Sequence, residues 1–177
     1  RKDKKHLSGL YYRFNSHFDL LDMFSSLNKV IIKHSSLKNL FHSHYEAAHN
    51  NIIPALSGFT NELNKNIPKI DNRYYHYLFS NPVNNSTCKR MNLFLRWMIR
   101  KDDIDTGLWS DIPASKLIMP VDTHIARISK KLNLVNRKSI DLKFAMELTN
   151  KLKEFDPVDP VKYDFALCHI GIDKKEF

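Results

Sequence analysis

Glycine is scarce in this chain, with 4 among 177 residues, and proline numbers 7. So few turn formers exclude a fold of many short strands joined by tight turns. Cysteine numbers 2, Cys88 and Cys168. That excludes a disulfide scaffold and points to a reducing compartment. No apolar run reaches the roughly 18 residues that a transmembrane helix needs. No signal-peptide pattern opens the chain. The first residue is Arg, so a piece of something longer, truncated upstream, or a processed product is expected. The 9 His show no zinc-site spacing. His42, His44 and His49 read as the polar face of a helix, and no metal site is expected.

What the chain does have is ordinary globular composition, 42% hydrophobic and 27% charged. Its length suits one domain or one compact pair of lobes. The formal net charge is +9. That balance favours a polyanionic partner through phosphate contacts. The same excess of Lys, Asn and Ile also follows from an AT-rich genome, and the charge alone does not separate the two.

Apolar residues recur at spacings of three and four, so the fold class expected is all-α. Leu20, Leu21, Phe24, Leu27, Val30 and Ile31 predict a first helix after Asp19. Leu37, Leu40, Phe41 and Tyr45 predict a second, capped by Ser35 or Ser36. Ile52, Ile53, Leu56, Phe59 and Leu63 predict a third, with Pro54 tolerated only in its first turn. Residues 64–86 read mostly as loop with room for one short helix, and with an aromatic cluster at Tyr74, Tyr75, Tyr77 and Phe79. The lobe boundary is placed there, giving an N-terminal helical lobe over 1–85 and a catalytic lobe over 86–177.

The second lobe is sharper. Ser86 or Thr87 can cap a helix to about Lys101. On a helical wheel Met91, Phe94, Leu95, Met98 and Ile99 share one side, and Lys89, Asn92, Arg96 and Arg100 the other. The reading is a core face and an opposite cationic row. An acidic loop with Gly107 and Trp109 follows, then a short helix over 113–118 stopped by Pro120. Asp122 caps a helix through Leu132 that buries Ile125, Ile128 and Leu132. Ser139 caps another, with Phe144, Met146, Leu148, Leu152 and Phe155 as its apolar set. Asp159 before Pro160 opens the last.

The stretch most informative for function is Pro120-Val121-Asp122-Thr123-His124-Ile125-Ala126-Arg127. It puts a carboxylate at a helix N-terminus after a rigid turn. Capping is the commonest role of such an Asp. The helix end also favours the ionised form, and a fixed carboxylate suits stabilisation of a developing cation. The residues alone leave both roles open.

This segment resembles the hallmark of the helix-hairpin-helix DNA glycosylase superfamily. The closing stretch from Tyr163 to Gly171 resembles that family's last helix, so the likeness covers roughly 86–172. It implies a two-lobed helical bundle in which Asp122 helps break an N-glycosidic bond and stabilises the sugar cation. The usual Leu-Pro-Gly-Val-Gly hairpin is absent; Lys101-Asp102-Asp103-Ile104-Asp105 stands in its zone. The hairpin is therefore divergent, as in the archaeal GO (8-oxoguanine) glycosylase branch. That branch carries its nucleophilic Lys early in a helix, more than thirty residues before the Asp. Lys89 holds that position, and the segment 88–127 looks like a bacterial family related to the branch.

A lysine must shed its proton before it attacks a sugar carbon. Neighbouring cations favour that, and Arg90, Arg96 and Arg100 lie close to Lys89 in sequence. Lys89 can equally be one of a phosphate-binding row. Lys101 and Lys116 are weaker nucleophile candidates. Arg90, Arg96, Arg100, Arg127 and His124 are candidate DNA contacts. Ion pairs of the arginines with Asp102, Asp103 or Asp105 are the alternative. Trp97 and Trp109 are expected in helix packing before base stacking. Iron–sulfur members of the superfamily carry four Cys after the closing helix, and none follows Cys168 here, so no cofactor is expected.

The resemblance implies a base-excision enzyme, a DNA glycosylase and AP lyase, acting on 8-oxoguanine in double-stranded DNA. A monomer with no membrane partner, in a bacterial cytoplasm at the nucleoid, is expected. A non-catalytic nucleic-acid-binding module on the same scaffold is the competing reading. Catalysis requires the Lys89 amine and the Asp122 carboxylate within a few to roughly 8 Å, facing one sugar.

Overall fold

A computed structural model describes residues 9–12, 15–65, 67 and 78–172. Tyr74, Tyr75, Tyr77, Arg13 and the basic residues Lys4, Lys5 and His6 lie outside the described residues. The architecture is predominantly helical, as periodicity predicts. The one sheet among the described residues is a small antiparallel pair, β1 (Tyr11–Tyr12) and β2 (Asn15–Ser16).

Three helices lie in the first half among the described residues: α1 (His17–His34), α2 (Leu37–His42) and α3 (Ile53–Lys65), and each packs on the other two. Ser16 caps α1 in a reciprocal box: its hydroxyl accepts from the Asp19 amide, and the Asp19 carboxylate accepts from the Ser16 amide at 2.6 Å. Asp19 therefore lies inside the first turn and not before it, because the helix begins at His17. Ser36 caps α2 through the Asn39 amide at 3.0 Å. Pro54 falls in the first turn of α3, where its missing N–H costs nothing. Helix α2 ends at His42, so His44 and His49 sit in the following turns and not on a helix face.

The second half holds α4 (Lys89–Ile99), α5 (Thr123–Lys131), α6 (Leu142–Lys153) and α7 (Asp164–Ile172). Helix α5 packs along α7, and α6 packs on the 3-10 turn Pro160–Tyr163. Several boundaries differ from expectation. Asp141, not Ser139, caps α6: its carboxylate accepts from the Phe144 amide at 3.0 Å, so the helix starts at Leu142. The predicted helix over 113–118 is a single 3-10 turn, Ala114–Lys116. Leu132 and Phe155 fall just past the ends of α5 and α6 and are exposed, not core.

Buried residues of both halves form one hydrophobic cluster, from Val30 and Phe41 through Leu95 and Trp109 to Phe144 and Leu167. Phe41 of α2 is its hinge piece, with ring centroids 5.7 Å from both Phe59 and Trp109. Lys116 adds a polar tie: its amine donates to the Ala47 and His49 carbonyls, and its carbonyl accepts from the Ile52 amide at 3.0 Å. No helix among the described residues is long and apolar enough to cross a membrane.

Candidate active site

Residues 117–121 run extended and wholly buried, and they deliver Asp122 to the start of α5. The Met119 amide fixes this run by donating to the Thr149 hydroxyl at 2.9 Å. Asp122 then does two things at once. Its Oδ1 accepts from the His124 and Ile125 amides, both at 2.9 Å. Its Oδ2 accepts from the Lys89 amine. The cap and the functional carboxylate are one residue with its oxygens divided between the tasks.

Lys89 is the first residue of α4. The residue before it, Cys88, is in the left-handed region at φ 49°, and it caps the helix without a side-chain acceptor. That corrects the expected Ser86 or Thr87 cap. Ser86 acts one step earlier, accepting from the Cys88 amide at 3.1 Å. The Cys88 side chain is buried and its Sγ donates to the Ser80 carbonyl at 3.3 Å. Burial pushes the Cys88 thiol up, so it is an anchor and not a nucleophile. The anchor turns the chain so that Lys89 leaves the helix end toward Asp122. The two side chains are 42% and 22% exposed, open enough for a ligand to reach.

Burial works against the charge on Asp122, yet the Lys89 hydrogen bond and the two backbone amides outweigh it and hold its carboxyl below the usual range. The site thus pairs an amine with a firmly ionised carboxylate at a helix N-terminus.

The cationic row of α4 is corrected by the structure. Arg96 is buried, with Nε donating to Asp105 at 3.0 Å and Nη1 to Asp164. Arg100 bonds Asp159 through Nε at 2.7 Å and Asp105 through Nη1 at 2.8 Å, and Asp102 as well. Burial opposes charge on Arg100, but these carboxylates outweigh it and raise its hold on the proton. Both arginines therefore serve internal ion pairs, the alternative the sequence left open, and neither forms a phosphate-binding stripe. Beyond Lys89, the face opposite Leu95 is polar but little solvated, because acids from the 102–105 loop and from 159–164 fold over Arg96 and Arg100. Asp159, expected as a cap, makes no cap bond and is spent on Arg100.

Arg90, His124 and Arg127 are exposed. Trp109 is buried edge-on to Phe94 at 5.5 Å, whereas Trp97 is 42% exposed. Lys116 is held by the carbonyls of the first half, and its amine is spent there. No group of His, Cys, Asp or Glu among the described residues has the form of a metal site.

Two neighbours of the pair carried no role in the sequence reading. Asp164, first residue of α7, is buried, and burial raises its carboxyl despite the charge and hydrogen bond of Arg96. Cys168 lies one turn on, its thiol raised by burial and then by Asp164. The i, i+4 spacing of Asp164 and Cys168 was the available signal.

The family model described as "Protein of unknown function (DUF2400)" matches residues 1–173. The chain belongs to this family. No curated protein and no solved structure matches the chain. The family match runs through α1–α3 as well as through Lys89 and Asp122.

Proposed function

We propose that this chain is a DNA base-excision enzyme, a glycosylase with AP lyase activity, in which Lys89 is the nucleophile and Asp122 the essential carboxylate. One observation carries the reading: an amine and an ionised carboxylate 33 positions apart in sequence meet in a hydrogen bond at a solvent-reachable helix end. The resemblance of 120–127 and 163–171 to the helix-hairpin-helix glycosylases points to a deoxyribose as the group they share. The helical build, with a short turn closed by the Lys101–Thr106 bridge in place of the usual hairpin, accords with a divergent member of that two-lobed type.

A damaged base, 8-oxoguanine by the resemblance to the archaeal GO branch, is turned out of the duplex toward the pair. Lys89 passes a proton to the departing base as the C1′–N bond breaks, and its freed amine bonds C1′. Asp122, a carboxylate throughout, stabilises the positive charge that develops on the sugar as the bond breaks. The ring opens to a Schiff base, a C2′ proton is lost, and the 3′ phosphate leaves. Arg90, Arg127 and His124, all exposed, are the candidates left to hold the flanking phosphates, a smaller set than the sequence suggested. The partner is double-stranded DNA, and the setting a bacterial nucleoid.

The test is borohydride trapping on a duplex holding 8-oxoguanine. Wild-type protein is expected to form a covalent adduct that is lost in Lys89→Gln. Intact oligonucleotide with every lesion tried, and no adduct, would overturn the reading.

A further inference from the structure

We propose that Arg96 and Asp164 are positioning residues that hold Lys89 against Asp122, an inference that rests on the lesion-cleaving reading above. Arg96 lies two turns after Lys89 on α4, so both leave the same face of one rigid rod. Its guanidinium is buried and grips two segments at once: Asp105 through Nε and Nη2 at 3.0 and 3.2 Å, and Asp164 through Nη1. Asp164 opens α7, α7 packs along α5, and α5 begins at the Asp122 cap. The contacts close a ring. Lys89 touches Asp122 at one end of α4, and Arg96 touches Asp164 further along it.

Charge gives the ring its purpose. Asp164 is a second buried carboxyl within electrostatic reach of both Lys89 and Asp122. Unpaired, it would compete for the Lys89 ammonium and repel the Asp122 carboxylate. Arg96 supplies the counter-charge and leaves the amine to Asp122. Only the arginine fork spans both carboxylates from one position; a lysine amine is a single point charge. Buried ion pairs of this kind add little net stability over apolar packing, which fits a role in geometry.

The experiment is single-turnover borohydride trapping on 8-oxoguanine duplex with wild type, Asp164→Asn, Asp164→Glu and Arg96→Lys, over a range of protein concentration. In Asp164→Asn and Arg96→Lys the maximal trapping rate is expected to fall about 10- to 100-fold, the scale of an ångström of misplacement. The half-saturating concentration stays within about twofold, since neither side chain meets DNA. Asp164→Glu, which restores the carboxylate, recovers part of the rate. A trapping rate in Asp164→Asn equal to wild type overturns the clamp and leaves the enzyme reading standing. Wild type that traps nothing overturns both. If Asp164→Asn does not fold, Arg96→Lys, which keeps the charge, decides the matter by the same rate.

Discussion

Asp122 accepts from the Lys89 amine with one carboxylate oxygen and from the His124 and Ile125 amides with the other. Helix capping and chemistry therefore separate by substitution. Asn caps a helix about as well as Asp, so Asp122→Asn is expected to keep its stability within a few tenths of a kcal/mol, while Asp122→Ala loses about 1 kcal/mol. Both are expected to lose about 100-fold or more in base release, the scale of removing one preorganised charge. Urea titration and single-turnover base release measure the two effects. An Asp122→Asn variant that excises at the wild-type rate would leave the residue as a cap alone.

Gly107 is the pivot of the turn that presents Asp105 to Arg96. Its φ is +62°, and a Cβ there would stand 2.6 Å from Cβ of Lys101. The turn is tight because the Thr106 amide and hydroxyl both donate to the Trp97 carbonyl, at 3.0 and 2.7 Å. Gly107→Ala combines a left-handed backbone with a backbone-anchored clash. The expected cost is about 1–3 kcal/mol, read as a lower urea midpoint at unchanged slope. An unchanged midpoint would mean that the turn relaxes freely.

The all-helical class was legible because Leu56, Phe59, Leu63 and their like recur with helical period. The cap of α5 was legible because Pro120, Asp122 and Ile125 each fix one local choice. The solvent exposure of α4 was not. Arg96 and Arg100 share a wheel face with Lys89, and the wheel cannot show that Asp105, Asp159 and Asp164 converge there from distant segments. Lys89 itself stood out only through the resemblance, since one lysine among 28 basic residues carries no local mark. The Cys88 cap was missed because a left-handed, core-anchored cysteine breaks the usual capping preference.

Glu62 is one of the carboxylates expected to contribute acid sensitivity. The Lys33 hydrogen bond first, and the Lys65 bond next, lower its carboxyl from the ordinary 4.5 to about 2. A folded-state value below the unfolded one gives stability that is fully present above the unfolded value and is lost as pH falls through the folded one. Glu62→Gln is therefore expected to be less stable than wild type at pH 7. The gap should close as pH falls from about 4.5 to about 2. Urea midpoints at a series of pH values check this, and a gap that stays constant with pH would assign the effect to packing instead.

The two halves share one core, and Phe41 tests how tightly. It is fully buried on α2, yet it packs on Trp109 of the second half as closely as on Phe59 of the first. Phe41→Ala removes a large side chain from a site with little room to collapse, at an expected cost of about 3–5 kcal/mol. Both tryptophans, Trp97 and Trp109, lie in the second half, so fluorescence reports on that half. If the core is one cooperative unit, a substitution in α2 shifts the fluorescence midpoint as far as the circular-dichroism midpoint, and the two transitions coincide. A fluorescence transition that stays in place while the helical signal moves would show the halves unfolding separately. The shared core holds the Lys89–Asp122 half rigid only if the transitions move together.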